Sequence, residues 1–138
     1  MKIHILISLV TCVLLGWSGP GAVPVLAMDR WSALSLIESG NNDAAVGRAG
    51  EVTRYQIKPL LWARYCQPYP VTARTDPQAA LRAAQLIMSA RCRKFEHHFN
   101  RAPTDFEYYI LWNAPAQVRN PNRIVSDRAN RFCNLVSG

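Results

Sequence analysis

Little in this chain points to a cross-linked scaffold, a repeat array or a membrane bundle. Cysteine is sparse, four in 138 residues, and the spacings among Cys66, Cys92 and Cys133 match no zinc pattern. There is no internal repeat and no low-complexity tract. Acidic residues are few: nine Asp+Glu stand against sixteen Lys+Arg, for a net charge of +7. No nucleic-acid motif accompanies that surplus. Its densest cluster, Arg91-Cys92-Arg93-Lys94 with His97-His98, is expected to be a solvated helix face, so no nucleic-acid partner is expected. Adjacent helical residues point about 100° apart, so His97 and His98 chelate poorly and no metal site is expected. Beyond residue 17 no apolar run is long enough for a span of roughly 20 residues, so no stable membrane span is expected.

What is present is enough apolar surface for one packed domain, with 49% hydrophobic and 9% aromatic residues. Residues 5–17 (ILISLVTCVLLGW) form an apolar run behind Lys2, followed by Gly-Pro-Gly and then Val25-Leu26-Ala27. This reads as a secretory signal over residues 1–27, leaving a basic domain over residues 28–138 in a secreted or periplasmic setting. The alternatives are an uncleaved anchor and lipidation at Cys12. Export to an oxidising compartment leaves three cysteines. One bridge with one free thiol, or three buried thiols, are both open.

The domain reads as mainly α. Asp29 to Ser39 is expected to be a helix, with Trp31, Leu34 and Ile37 on one stripe, Asp29 at its start and Gly40 as its stop. Residues 40–58 lack helical periodicity and should be turns with a small irregular or short β segment, Val52 to Ile57 being the most strand-like. Pro59 to Tyr65 can form a short helix. Asp76-Pro77 opens the longest one, with Leu81, Ala84, Met88, Cys92, Phe95 and Phe99 on its core face. Thr104-Asp105-Phe106-Glu107 is a capping box ahead of a helix to Asn113 that is apolar nearly all round and therefore central. Asn122 starts the last helix, with Val125, Ala129, Phe132 and Val136 on one face. Trp62, Tyr65 and Tyr69 suit either a sugar cleft or core packing.

Glu38 shares the side of Leu34 on the first helix and lies at the edge of its buried stripe. A half-buried carboxyl holds its proton to higher pH, as a general acid near neutrality requires. Breaking a glycosidic bond needs such an acid and, commonly, a second carboxylate. Asp43 and Glu51 are the candidates, although Asp43 is more simply a turn residue and Glu51 a solvated one.

Several motifs carry a resemblance. Glu38-Ser39-Gly40, Ala45-Val46, Gly50 and Tyr55-Gln56-Ile57 resemble the lytic transglycosylase branch of the lysozyme-like superfamily, with Glu38 and Gln56 at the separation its motif calls for. Asp76-Pro77 resembles its Asp-Pro-opened helix, and Leu111-Trp112-Asn113-Ala114-Pro115 resembles its Ala-Tyr-Asn-Ala-Gly motif. The likeness covers about residues 29–136. It implies a lysozyme-like helical domain, a monomer without cofactor, whose partner is the glycan strand of peptidoglycan. The bond cut would be the β-1,4 link between N-acetylmuramic acid and N-acetylglucosamine, with 1,6-anhydro products. Glu38 would be acid and base in turn, and the substrate's acetamido carbonyl would shield the anomeric carbon. Gln56 and Asn113 would orient the sugar, Tyr55 and Trp112 would wall the cleft, and Ser39 would sit at the substrate. Three positions depart from the pattern. Gly47 replaces a Ser, Thr53 replaces a Gly, and Trp112 replaces a Tyr whose hydroxyl lies near the catalytic Glu in relatives. Tyr55 or Tyr108 is the expected substitute donor. These departures also admit a second function, a non-catalytic peptidoglycan-binding or assembly protein on the same fold.

Overall fold

The computed structural model describes residues 26–66 and 74–138; the expected signal up to residue 25 and Tyr69 lie outside them. The described residues are mainly helical, with five α-helices: α1 (Arg30–Ser39), α2 (Pro59–Tyr65), α3 (Pro77–Phe99), α4 (Asp105–Asn113) and α5 (Arg123–Ser137). Side-chain caps explain where α1, α3, α4 and α5 begin. Asp29 accepts hydrogen bonds from the amides of Trp31 and Ser32, satisfying two donors that α1 leaves open. Gly40 ends α1 at φ 65°, a left-handed conformation that costs glycine little. Asp76 caps α3 through the Gln78 amide, with Pro77 in the first turn. At α4 the capping box forms in both directions between Thr104 and Glu107. Asn122 caps α5 through the Val125 amide.

Helix α4 is the central element, packed on both α5 and α3, while α1 lies against α5. Every residue from Tyr108 to Trp112 is buried, as expected of a helix apolar nearly all round. Phe132 of α5 and Leu34 of α1 are fully buried against this core. On α3 the expected face holds at Ala84, Met88 and Phe95, which are buried. Ala79, Ala80, Ala83 and Ala84 carry its first half, while Leu81, Cys92 and Phe99 are only partly covered. Trp62 is core, at 2% exposure, and Tyr65 is partly buried against it. Cys66, Cys92 and Cys133 are all free thiols. No described helix is long and apolar enough to cross a membrane.

The segment between α1 and α2 departs from the strand expected over Val52 to Ile57. Val52 and Ile57 instead bond to each other, amide to carbonyl in both directions (2.9 and 2.7 Å). The chain therefore reverses within Thr53–Gln56 rather than running extended. Positive φ at Thr53 (71°) and Gln56 (51°) makes the reversal possible. A second isolated bridge joins Val52 to Val46. This tight loop brings Gln56 back over the end of α1.

Candidate active site

All five helices and this loop contribute to a groove of about 500 Å³, lined among others by Glu38, Glu51, Gln56, Trp112, Asn113 and Arg128. Glu38 sits on the last turn of α1, with its side chain only 7% exposed. Tyr109 of α4 donates its hydroxyl to Glu38 Oε1 at 2.7 Å. From α5, Arg128 Nη2 stands 3.3 Å from the same oxygen. Burial pushes the Glu38 carboxyl above its ordinary range. The positive charge of Arg128 and hydrogen bonds from Tyr109 and Asn113 oppose that rise without cancelling it. The result is a carboxyl that keeps its proton to higher pH than a surface glutamate while facing a groove, a property suited to a general acid.

Tyr109 was not singled out by sequence reasoning. Tyr55 and Tyr108 were the expected hydroxyl donors near Glu38, and neither serves. Tyr108 stacks on Phe132 and lies under Arg30, and Tyr55 is core. The available signal was spacing: Tyr109 precedes Asn113 by four residues on one helix, so both present to the same side. Burial raises the Tyr109 hydroxyl far above its ordinary value, which keeps it a hydrogen-bond donor. Arg128 was missed for a similar reason, since its helix reaches Glu38 only through tertiary packing.

The expected site residues divide. Glu38, Gln56, Trp112 and Asn113 line the groove. Tyr55 does not. At 4% exposure its ring is wedged edge-on between Trp31 and Trp112, and it acts as core beneath the loop. Trp112 is pinned by its indole N–H, which donates to the Tyr55 carbonyl at 3.2 Å. Ser39 also lies outside the groove lining, with its hydroxyl already in use. It donates to the Arg54 carbonyl at 2.8 Å and accepts from the Asn42 amide at 3.0 Å, tying the end of α1 to the loop.

Of the two candidate second carboxylates, Asp43 is held by Arg54 in a two-pronged ion pair at 2.5 and 2.7 Å. That pair keeps its carboxyl well below the usual range and away from the groove. Glu51, expected to be solvated, lines the groove and accepts from the Ala49 amide at 3.0 Å. Gly47 explains how it can. A Cβ there would overlap Glu51 Oε2 and meet Gln56 Oε1 at 2.6 Å. The missing side chain is replaced by two side-chain oxygens from across the loop. Thr53, with φ 71° and 1% exposure, holds a conformation rare for a β-branched residue. Its hydroxyl accepts from the Tyr55 amide at 3.2 Å, and its carbonyl accepts from the Gln56 side chain at 3.1 Å, which orients the Gln56 amide.

Arg91 completes the far wall. Its Nη1 donates to the carbonyls of Leu111 and Trp112 at 2.8 and 2.6 Å, satisfying acceptors left open at the end of α4. No protein-family model, curated protein or solved structure matches this chain.

Proposed function

We propose that this protein is an exported, lysozyme-like glycosidase that cleaves the β-1,4 bond between N-acetylmuramic acid and N-acetylglucosamine in the manner of a lytic transglycosylase. The observation that carries the reading is Glu38: a carboxyl 7% exposed, raised in pKa by burial, and open to a groove. In this scheme the protonated Glu38 gives its proton to the glycosidic oxygen. The neighbouring acetamido carbonyl shields the anomeric carbon as the bond breaks. The Glu38 carboxylate then takes the proton of the C6 hydroxyl as that oxygen closes the anhydro ring, which returns the acid to its starting state. Tyr109 and Arg128 hold the carboxylate during the interval when it is charged. Gln56 and Asn113 offer amides that donate and accept along the sugar. Trp112 walls the groove.

The test is a digest of purified peptidoglycan. Wild-type protein should release soluble muropeptides with anhydro ends, and Glu38→Gln should release none while remaining folded. Release that survives Glu38→Gln would overturn the assignment of the acid. Products one water heavier would make the reaction a hydrolysis, with Glu51, the second carboxylate lining the groove, as the candidate base for water. A non-catalytic binding role is the second reading. The feature favouring it is the Arg128 cation 3.3 Å from Glu38, which stabilises the charged form that cannot donate a proton. Binding of the glycan without release by wild-type protein would select it.

A further inference from the structure

Beside the groove lies a second hollow of about 480 Å³, and the two share Arg91 and Pro115 as a common wall. Its character is different. Phe95, Phe99, Leu111 and Val118 contribute an apolar floor, with the two phenyl rings stacked at a centroid distance of 4.3 Å. The rim is cationic, formed by Arg91, Lys94 and Arg119. Arg119 lies 5.2 Å above the Phe99 ring and also bonds the His98 side chain. Among the described residues no Asp or Glu lines this hollow, and none of its three rim cations has a carboxylate partner. Both acids of α4 are already held elsewhere, Asp105 by Arg30 and Glu107 by Arg101.

An apolar floor under cations that lack a carboxylate partner selects a ligand with carboxylates on a short hydrocarbon or peptide frame. Continuity with the groove says how such a ligand would arrive. A glycan strand lying along Glu38 must carry its substituents out over the groove edge, and Arg91 and Pro115 form one such edge. We infer that the second hollow binds the acidic peptide borne by the glycan strand, making the protein selective for peptide-substituted over bare strands; this rests on the glycan-cleaving reading above. Lys94 and Arg119 meet the peptide carboxylates, and the stacked phenyl rings meet its alkyl side chains. Arg91 stands between the two sites and ties peptide binding to the position of the sugar.

The experiment measures binding by calorimetry with the full domain carrying Glu38→Gln, so that turnover does not consume the ligand. Two soluble probes are compared: glycan fragments with their peptides, and the same fragments stripped by an amidase. The peptide-bearing fragments should bind about tenfold more tightly, the scale of two partly exposed charge contacts with their apolar support. Lys94→Glu and Arg119→Glu should each reduce that advantage, and together abolish it, with affinity for stripped fragments unchanged. Equal affinity for the two probes, or an advantage that survives both charge reversals, would overturn the inference and leave the glycan reading standing. Failure of both probes to bind would overturn the glycan reading and this inference together. Loss of stripped-fragment binding in the charge-reversed variants would show that the rim serves the groove and not a peptide.

Discussion

Removing one oxygen atom, in Tyr109→Phe, tests the electrostatics of Glu38 directly. The ring of Tyr109 is fully buried, so the substitution conserves packing and deletes only the hydroxyl that meets Glu38 Oε1 at 2.7 Å. A hydrogen bond to an ionised group is worth about 1.5–3 kcal/mol, and one to a neutral group about 0.5–1.5 kcal/mol. The variant should therefore lose about 2 kcal/mol of stability when Glu38 is charged and about 1 kcal/mol when it is protonated. The difference, about 1 kcal/mol, is the gain in proton affinity of Glu38 on losing its donor. The sign follows from linkage. Glu38 has a raised pKa in the folded protein, so between the unfolded and folded values the native state binds more protons. Stability from this group is present below the unfolded value and falls as pH rises through the folded one. In Tyr109→Phe that fall should be larger and extend to higher pH. Urea midpoints at about pH 4 and about pH 8 measure it. Carbon NMR of the Glu38 carboxyl, assigned with Glu38→Gln, measures it without recourse to activity. If muropeptide release is followed, its alkaline limb should move to higher pH. An equal loss of stability at both pH values, or a Glu38 that titrates lower in the variant, would refute the reasoning.

Three further substitutions probe other parts of the site and its frame. Gly47→Ser inserts a Cβ where the ends of the Glu51 and Gln56 side chains stand, so both must swing away and thermal unfolding should show a loss of about 1 kcal/mol, together with displacement of Gln56. A neutral result would mean that the loop opens freely. Ser39→Ala deletes the bonds to Arg54 and Asn42 and should cost about 1–2 kcal/mol of stability with KM for glycan unchanged. A raised KM with full stability would return Ser39 to the substrate. Glu107→Gln tests the α4 cap. The bonds from Arg101, then those from Thr104, hold this carboxyl down at about 2 against a usual 4.5. Its stabilisation is present above the usual value and lost as pH falls toward the lowered one. The variant should thus be weaker by about 1 kcal/mol at neutral pH and indistinguishable from wild type near pH 2. Acid-unfolding curves that stay parallel throughout would contradict it.

Helix positions and the buried Glu38 carboxyl were legible in the chain because both depend on neighbours close in sequence. Asp29, Asp76, Asn122 and the Thr104–Glu107 pair act on amides within one turn, and each caps the helix its spacing announced. Glu38 was legible from its register with Leu34. The loop was not. A strand-like run at Val52–Ile57 turned back on itself because a buried threonine took a conformation that its residue type disfavours, a tertiary override of propensity.

What remained for tertiary structure was the choice of partners. Tyr109 meets Glu38 across 71 positions of chain, and Arg128 arrives from a third helix. Tyr55, Tyr108 and Tyr109 are chemically alike, so composition and motif cannot rank them. Only the way α4 is seated between α3 and α5 decides which hydroxyl faces α1. Helix ends follow from hydrogen bonds within a turn, whereas a buried site follows from how whole helices fill space together, and that is written in no single segment.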